Sequence, residues 1–276
     1  MTDLDELLNV CRRLASEVSQ FLVEKRPETL RSTTKSSATD VVTEMDSAAE
    51  AMVRGMLDRD RPDDGMMGEE GTGRAGESGV TWIVDPIDGT TNYLYRLPAW
   101  AVSIAAVVDG RSVVGCIAAP ELQMVAFAVR GHGAWWIRSG IESQLRVSHP
   151  TDLGQALIAT GFGYLLERRR HQGEVVSGLM PQIRDIRRSG AASVDLCWVA
   201  AGLVDGYYEA GLHPWDFAAG ALIVEEAGGM VGTLSGESVW PTGPEDGERK
   251  TLIASSPVIY DPLRSLLLTL GADRTP

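Results

Sequence analysis

Apolar residues recur at helical spacing near the start of the chain: Leu4, Leu7, Leu8, Cys11, Leu14, Ala15, Val18, Phe21 and Leu22. This period predicts an amphipathic helix, and Pro27 ends it. A polar stretch covers 32–39. Ala48, Ala49, Met52, Val53 and Met56 then mark the apolar side of a second helix, over 43–57. Asp63-Asp64-Gly65 predicts a turn, and the Gly-rich stretch 68–79 a mobile loop. From there the pattern becomes that of strands, over 80–85, 100–108 and 111–119. Asp109-Gly110 between the last two is a two-residue hairpin signal. Strands over 123–130 and 134–137 continue an antiparallel sheet, with Gly131-His132-Gly133 as the turn.

His149-Pro150 marks the expected boundary between an N-terminal half, 1–149, and a C-terminal half, 150–276. The second half alternates. Strands are predicted over 156–160, 183–186, 206–209, 230–234 and 251–254, with helices over 165–180, 191–203 and 215–227. Ser256-Pro257 opens a last helix, with Pro at the first helical position.

Composition narrows the function classes. The chain has 276 residues, 44% of them hydrophobic and 23% charged, as in an ordinary folded protein. There are 38 Asp plus Glu against 25 Lys plus Arg, a net charge of −13. That argues against a sequence-independent grip on nucleic acid and against docking on an anionic membrane. The first residues are acidic where a signal peptide would be basic, and no apolar run is long enough to span a bilayer. Cys11, Cys116 and Cys197 are isolated and read as buried thiols in a reducing cytoplasm. An acidic protein that handles an anionic substrate needs metal cations.

The candidate chemistry sits in Asp85-Pro86-Ile87-Asp88-Gly89-Thr90-Thr91-Asn92, directly after an apolar strand. Two carboxylates stand three residues apart, and Gly89 lets the backbone approach a ligand. A helix starting at Thr90 would leave the amides of Gly89, Thr90 and Thr91 facing an anion. Hard cations such as Mg²⁺ take carboxylate oxygens, with substrate phosphate completing the shell. Three further acidic segments are weaker alone: Gly68-Glu69-Glu70-Gly71, Trp215-Asp216-Phe217-Ala218-Ala219-Gly220, and Asp40 to Asp46.

Together, Asp46, Gly68-Glu69-Glu70, Trp82 to Asn92 and Trp215 to Gly220 resemble the inositol monophosphatase family of lithium-sensitive, magnesium-dependent phosphoesterases. The resemblance covers nearly the whole chain. It implies a mixed α+β fold, a layered α/β/α/β/α sandwich of the sugar-phosphatase type. Most metal ligands would lie in the N-terminal half, with the Trp-Asp motif and a substrate wall in the C-terminal half. Glu69, Asp85 and the Ile87 carbonyl would hold one Mg²⁺, and Asp85, Asp88 and Asp216 a second. Glu69 would reach a third ion through water, giving two or three ions per site. Gly89 and Thr90 amides would cradle the phosphate. Thr90 and Asp46 would orient and deprotonate the attacking water, with Lys35 and Asp40 assisting ion binding from a loop.

The expected reaction is Mg²⁺-dependent hydrolysis of myo-inositol monophosphate or a similar phosphorylated polyol. Tyr207-Tyr208-Glu209-Ala210-Gly211 resembles the segment whose Glu receives ring hydroxyls, and Gly190-Ala191-Ala192 another pocket wall. Asp88, Ala192, Glu209 and Asp216 are therefore the expected substrate contacts. Histidinol phosphate, fructose 1,6-bisphosphate and adenosine 3′,5′-bisphosphate are the rival substrates. A regulatory binding protein on the same scaffold is the rival class. The resemblance also implies a cytoplasmic homodimer. Gly71, where a Ser often follows the Glu pair, suggests a looser third ion site, and the variable Tyr164 an altered access. His213 reads as a packing or supporting residue. Arg168-Arg169-Arg170-His171 with Arg184, Arg187 and Arg188 reads as a solvated face paired with acids such as Glu167 and Asp185, with contact to a phosphorylated substrate edge or a partner protein as the alternative.

Overall fold

The computed structural model describes residues 3–28, 32–34, 41–71, 73–240 and 250–274. In chain order the elements are α1 (Leu4–Glu24), β1 (Ser32–Thr34), β2 (Val41–Thr43), α2 (Glu44–Asp60), β3 (Gly65–Gly68), β4 (Val80–Asp88) and α3 (Thr90–Tyr95). β5 (Ala101–Val108), β6 (Arg111–Ala119), β7 (Met124–Val129), β8 (Ala134–Arg138) and β9 (Ile141–Gln144) follow. Then come β10 (Leu157–Thr160), α4 (Leu166–Leu179), β11 (Asp185–Arg187), α5 (Ala192–Ala200), β12 (Gly206–Leu212) and α6 (Pro214–Glu226). β13 (Met230–Thr233), β14 (Lys250–Ser255) and α7 (Pro257–Thr269) complete the order.

β3 to β9 form one sheet in sequential order, parallel between β3 and β4 and antiparallel thereafter. A second sheet has the order β11-β10-β12-β14-β13, parallel around β10 and antiparallel around β14. Asp109 and Gly110, both at positive φ (50° and 71°), close the β5–β6 hairpin, as a primed turn requires.

β4 shows why the layers stack as they do. Successive side chains point to opposite faces, and nearly all of its residues are buried, so both faces must be covered. Trp82 and Val84 pack with Leu14, Val18 and Val53 of α1 and α2. Ile83, on the other face, packs with Leu196 and Phe217 of α5 and α6, which also meet Tyr207 and Leu252 of the smaller sheet. The far face of that sheet, through Ile158, Tyr208 and Ile253, is covered by Val175 of α4 and Leu263 of α7. The result is the α/β/α/β/α sandwich. α6 lies close because glycines stand at its contacts: a Cβ at Gly220, on α6 itself, would sit 2.5 Å from Leu196, and one at Gly115 of β6 3.0 Å from Ala219.

Several local expectations change. β3 and β9 are strands that the sequence pattern did not predict. Asp64, expected in a turn, is buried. Ser256 precedes α7, but its hydroxyl does not cap it. The strand expected over 80–85 runs on to Asp88.

Candidate active site

That extension carries the chemistry. In a regular strand, residues three apart face opposite sides. Asp85 pairs with Ser103, whereas Asp88 pairs with Ala101, so β4 spends three steps where β5 spends two. The extra residue is a β-bulge, and it brings Asp85 and Asp88 to the same side. Pro86 tolerates this place because a bulge leaves a backbone N–H unneeded. Ile87 donates its N–H to Asp85 Oδ1 at 3.0 Å, which fixes the carboxylate.

Glu69 arrives on the neighbouring strand. Gly68 of β3 is level with Val84, and Glu69 N–H donates to the Val84 carbonyl at 3.3 Å. The fully buried Glu50 accepts the Glu70 N–H at 2.7 Å, and a Cβ at Gly68 would collide with its carboxylate. Asp216 comes from the opposite layer, in the first turn of α6. Its carboxylate turns back to accept the His213 N–H at 2.6 Å. His213 caps that helix and stacks on Trp215, with centroids 4.7 Å apart.

Gly89, at φ 87°, turns the chain into α3 and packs against Ala99, Gly190 and Ala191 without room for a side chain. The Thr90 hydroxyl lies 3.0 Å from Asp46 Oδ1 and 3.1 Å from the Ile87 carbonyl. Asp46 is the N3 acid of the α2 capping box, accepting the Thr43 N–H at 2.8 Å and hydroxyl at 2.6 Å. It therefore reaches the site through Thr90.

Glu69, Asp85, Ile87, Asp88, Gly89, Thr90, Ala192, Glu209 and Asp216 all line one cavity of about 320 Å³. Lys35 and Asp40 lie outside the described residues. Asp88 accepts N–H groups from Ala192 at 3.2 Å and Ser193 at 2.6 Å, and Glu209 accepts the Tyr207 hydroxyl at 2.7 Å.

The electrostatics are unfavourable as the residues stand. Burial raises the Asp85 carboxyl well above its usual range, and the charges of Glu69, Asp88 and Asp216 raise it further. Asp216 is raised by burial and by Glu69 and Asp88. Burial pushes Asp88 up to about 6 against the pull of Ser193. Burial pushes Glu209 up to about 7, opposed by Tyr207 and by the Arg188 charge. Burial likewise raises Asp46, against hydrogen bonds from Thr43. Among the described residues no three His, Cys, Asp or Glu side chains stand in a ready-made ligating cluster. The donor chemistry nonetheless fits a hard divalent cation: several carboxylates, all oxygen, raised by burial and then by mutual repulsion that a cation would relieve.

Sequence reasoning missed Glu50, Ser193 and Tyr207 as supports. It also misjudged the basic cluster. Arg187 does pair with Asp185, at 2.7 Å, but Arg168 is buried and lines the cavity, as does Arg188. Their only signal was their presence in that cluster. Tyr164 also lines the cavity, and the three cysteines are buried and free.

Known proteins resemble this chain over most of its length. The family model described as "Inositol monophosphatase family" matches residues 3–269. The inositol-1-monophosphatase SuhB of Mycobacterium tuberculosis is 39% identical, over 95% of this chain and 93% of that protein. The Nus factor SuhB of Escherichia coli K12 is 38% identical, over 83% and 86%. The solved structure of Mycobacterium tuberculosis SuhB superposes with a TM-score of 0.82 at 37% identity, covering 98% of each chain. With these matches, the chain belongs to the inositol monophosphatase family.

Proposed function

We propose that this protein hydrolyses the phosphate monoester of myo-inositol monophosphate or a similar small polyol phosphate, with divalent metal ions, Mg²⁺ foremost. The observation that carries the reading is the meeting of Glu69, Asp85, Asp88 and Asp216 in one cavity with Gly89, Thr90 and Glu209. Glu69, Asp85, the Ile87 carbonyl, Asp88 and Asp216 are the groups that would hold the ions. Bound there, the ions would neutralise phosphoryl charge and acidify water.

The chain's own groups do the rest. The amides of Gly89 and Thr90 face the phosphate oxygens. The Thr90 hydroxyl donates a hydrogen bond to Asp46, leaving its oxygen lone pair to accept one from the attacking water and aim it. Asp46, raised by burial, is a suitable proton acceptor behind it. Glu209, held by Tyr207, accepts hydroxyl protons of the polyol, and Ala192 leaves space for the ring.

Phosphate release with Mg²⁺ from myo-inositol 1-phosphate, histidinol phosphate, fructose 1,6-bisphosphate and adenosine 3′,5′-bisphosphate tests the reading. Highest kcat/KM on the inositol ester supports it. No release from that ester overturns the substrate. The family resemblance adds inhibition by lithium at fixed Mg²⁺ as an expected outcome.

A further inference from the structure

α5 starts without a capping side chain of its own: Ala191 stands at its N-cap and offers no oxygen. The first amides of a helix have no partner within the helix and need an acceptor from elsewhere. Asp88 supplies it from the end of β4, 104 and 105 residues away along the chain. Its Oδ1 accepts the Ala192 N–H at 3.2 Å. Its Oδ2 accepts the Ser193 N–H at 2.6 Å and the Ser193 hydroxyl as well. The positive end of the helix faces the carboxylate. Asp85 and Asp216 take an N–H from their own turns, Ile87 and His213 respectively. Asp88 instead takes its donors from the far half of the chain.

A carboxylate oxygen has about two lone-pair sites. Two donors fill those of Oδ2, whereas one longer N–H leaves Oδ1 a lone pair to offer. Ser193 is fully buried and does not line the cavity. It stands on a helix packed into the core through Val194, Leu196 and Cys197. Asn92, donating to the Ser189 carbonyl at 2.8 Å, fixes the turn before it.

Resting on the reading of Asp88 as a cation ligand, we propose that Ser193 is a positioning residue: it commits Asp88 Oδ2 to α5 and leaves Oδ1 as the single oxygen that Asp88 gives to a divalent cation. Chelation through both oxygens would uncap α5 and break the Ser193 hydroxyl bond. The carboxylate is therefore oriented by folding, before a cation arrives. Without the hydroxyl, Oδ2 is free to turn and binding must order the carboxylate. Groups that orient metal ligands in this way contribute about tenfold to a hundredfold in affinity.

Mg²⁺ binding by isothermal titration calorimetry, beside phosphate release from myo-inositol 1-phosphate as a function of Mg²⁺, tests this in the wild type, Ser193→Ala and Ser189→Ala. Alanine is a good helix former, and circular dichroism with a denaturant midpoint checks that each variant folds. The Ser189 hydroxyl lies in the same turn but donates to the Ala191 carbonyl, at 3.1 Å. In Ser193→Ala the Kd of one Mg²⁺ binding step is expected to rise about tenfold, and the Mg²⁺ concentration for half-maximal turnover to rise with it. At saturating Mg²⁺, kcat and the KM for the ester stay within about twofold of wild type, because the hydroxyl acts on cation binding and touches no substrate. Ser189→Ala keeps the wild-type Kd.

An unchanged Kd in Ser193→Ala overturns the inference. So does a lower Kd, which would mean that the hydroxyl withholds Oδ2 from the ion. An equal rise in Ser189→Ala also overturns it, by assigning the effect to the stability of the turn. Neither Mg²⁺ binding nor turnover in the wild type overturns the phosphatase reading together with this inference. The expected rise in Kd with no release from the ester supports this inference and overturns the substrate.

Discussion

Asp64 and Asp85 are both about 2% exposed or less, lie at opposite ends of the same strand layer, and have opposite electrostatics. Burial alone would raise Asp64, yet its carboxyl is held below the usual range. Arg61 Nε and Trp82 Nε1 each donate to it at 2.8 Å, and Ser78 Oγ at 2.6 Å. Asp85 receives one N–H and faces three other carboxylates, so it is raised. A compensated buried charge is architecture. An uncompensated cluster costs stability and persists where something else supplies the countercharge. The difference separates a structural acid from a functional one more sharply than burial does.

The largest expected effect separates them by activity. Asp88→Asn is expected to lower kcat/KM by about a thousandfold while circular dichroism stays native, because the amide removes one of the proposed cation ligands but relieves repulsion. Asp64→Ala is expected to do the reverse. It leaves Arg61 and Trp82 without their acceptor and lowers unfolding free energy by about 3 kcal/mol, with turnover per folded molecule near wild type. Denaturant titration together with active-site-normalised kinetics checks both. An Asp64 variant that is stable and inactive would erase the distinction.

The motif around Asp85 marks it as a candidate ligand, but nothing local in the sequence marks Asp64 as a buried, compensated acid. Asp64 is compensated by Ser78 and Trp82, fourteen and eighteen residues away, and only folding brings them together. The same limit explains β3. Gly65-Met66-Met67-Gly68 has no strand signature of its own, and its identity comes from pairing with β4 and bridging Arg74. The continuous apolar runs of β5 and β6 were legible because each is of strand length and Asp109-Gly110 punctuates them. The Asp-x-x-Asp spacing was legible too, but not the bulge that puts both carboxylates on one side. Arg168 was misjudged because a polar helix position is ordinarily solvated, and only Gly163 across the gap gives it room inside.

Cation binding gives the next effect. At a free Mg²⁺ concentration about a hundredfold above its dissociation constant, binding only to the native state adds about 2.7 kcal/mol. For a chain of this size that raises Tm by about 5–10 °C relative to protein in chelator. The Asp64→Ala protein is expected to show the same increment from its lower baseline, and Asp88→Asn to lose most of it. Equal increments in both variants would mean that the ions bind elsewhere.

Glu209 supplies the smallest effect and a middle case. It has partial compensation, from Tyr207 and the Arg188 charge, yet burial still pushes it up to about 7. Such a raised acid imposes no penalty at low pH, where it is neutral in both states. The native state then loses stability relative to the unfolded chain as pH rises from the ordinary carboxylate range through about 7, and the loss is constant above. Glutamine at this position still accepts the Tyr207 hydroxyl and does not ionise. The stability of Glu209→Gln minus that of the wild type, measured in chelator, is therefore expected to climb between about pH 4.5 and 7 and then level off. Partial solvent access holds the climb to about 1–2 kcal/mol. A flat difference would show that Tyr207 and Arg188 compensate Glu209 as fully as Asp64 is compensated, and would move it from the functional class of buried acid to the structural one.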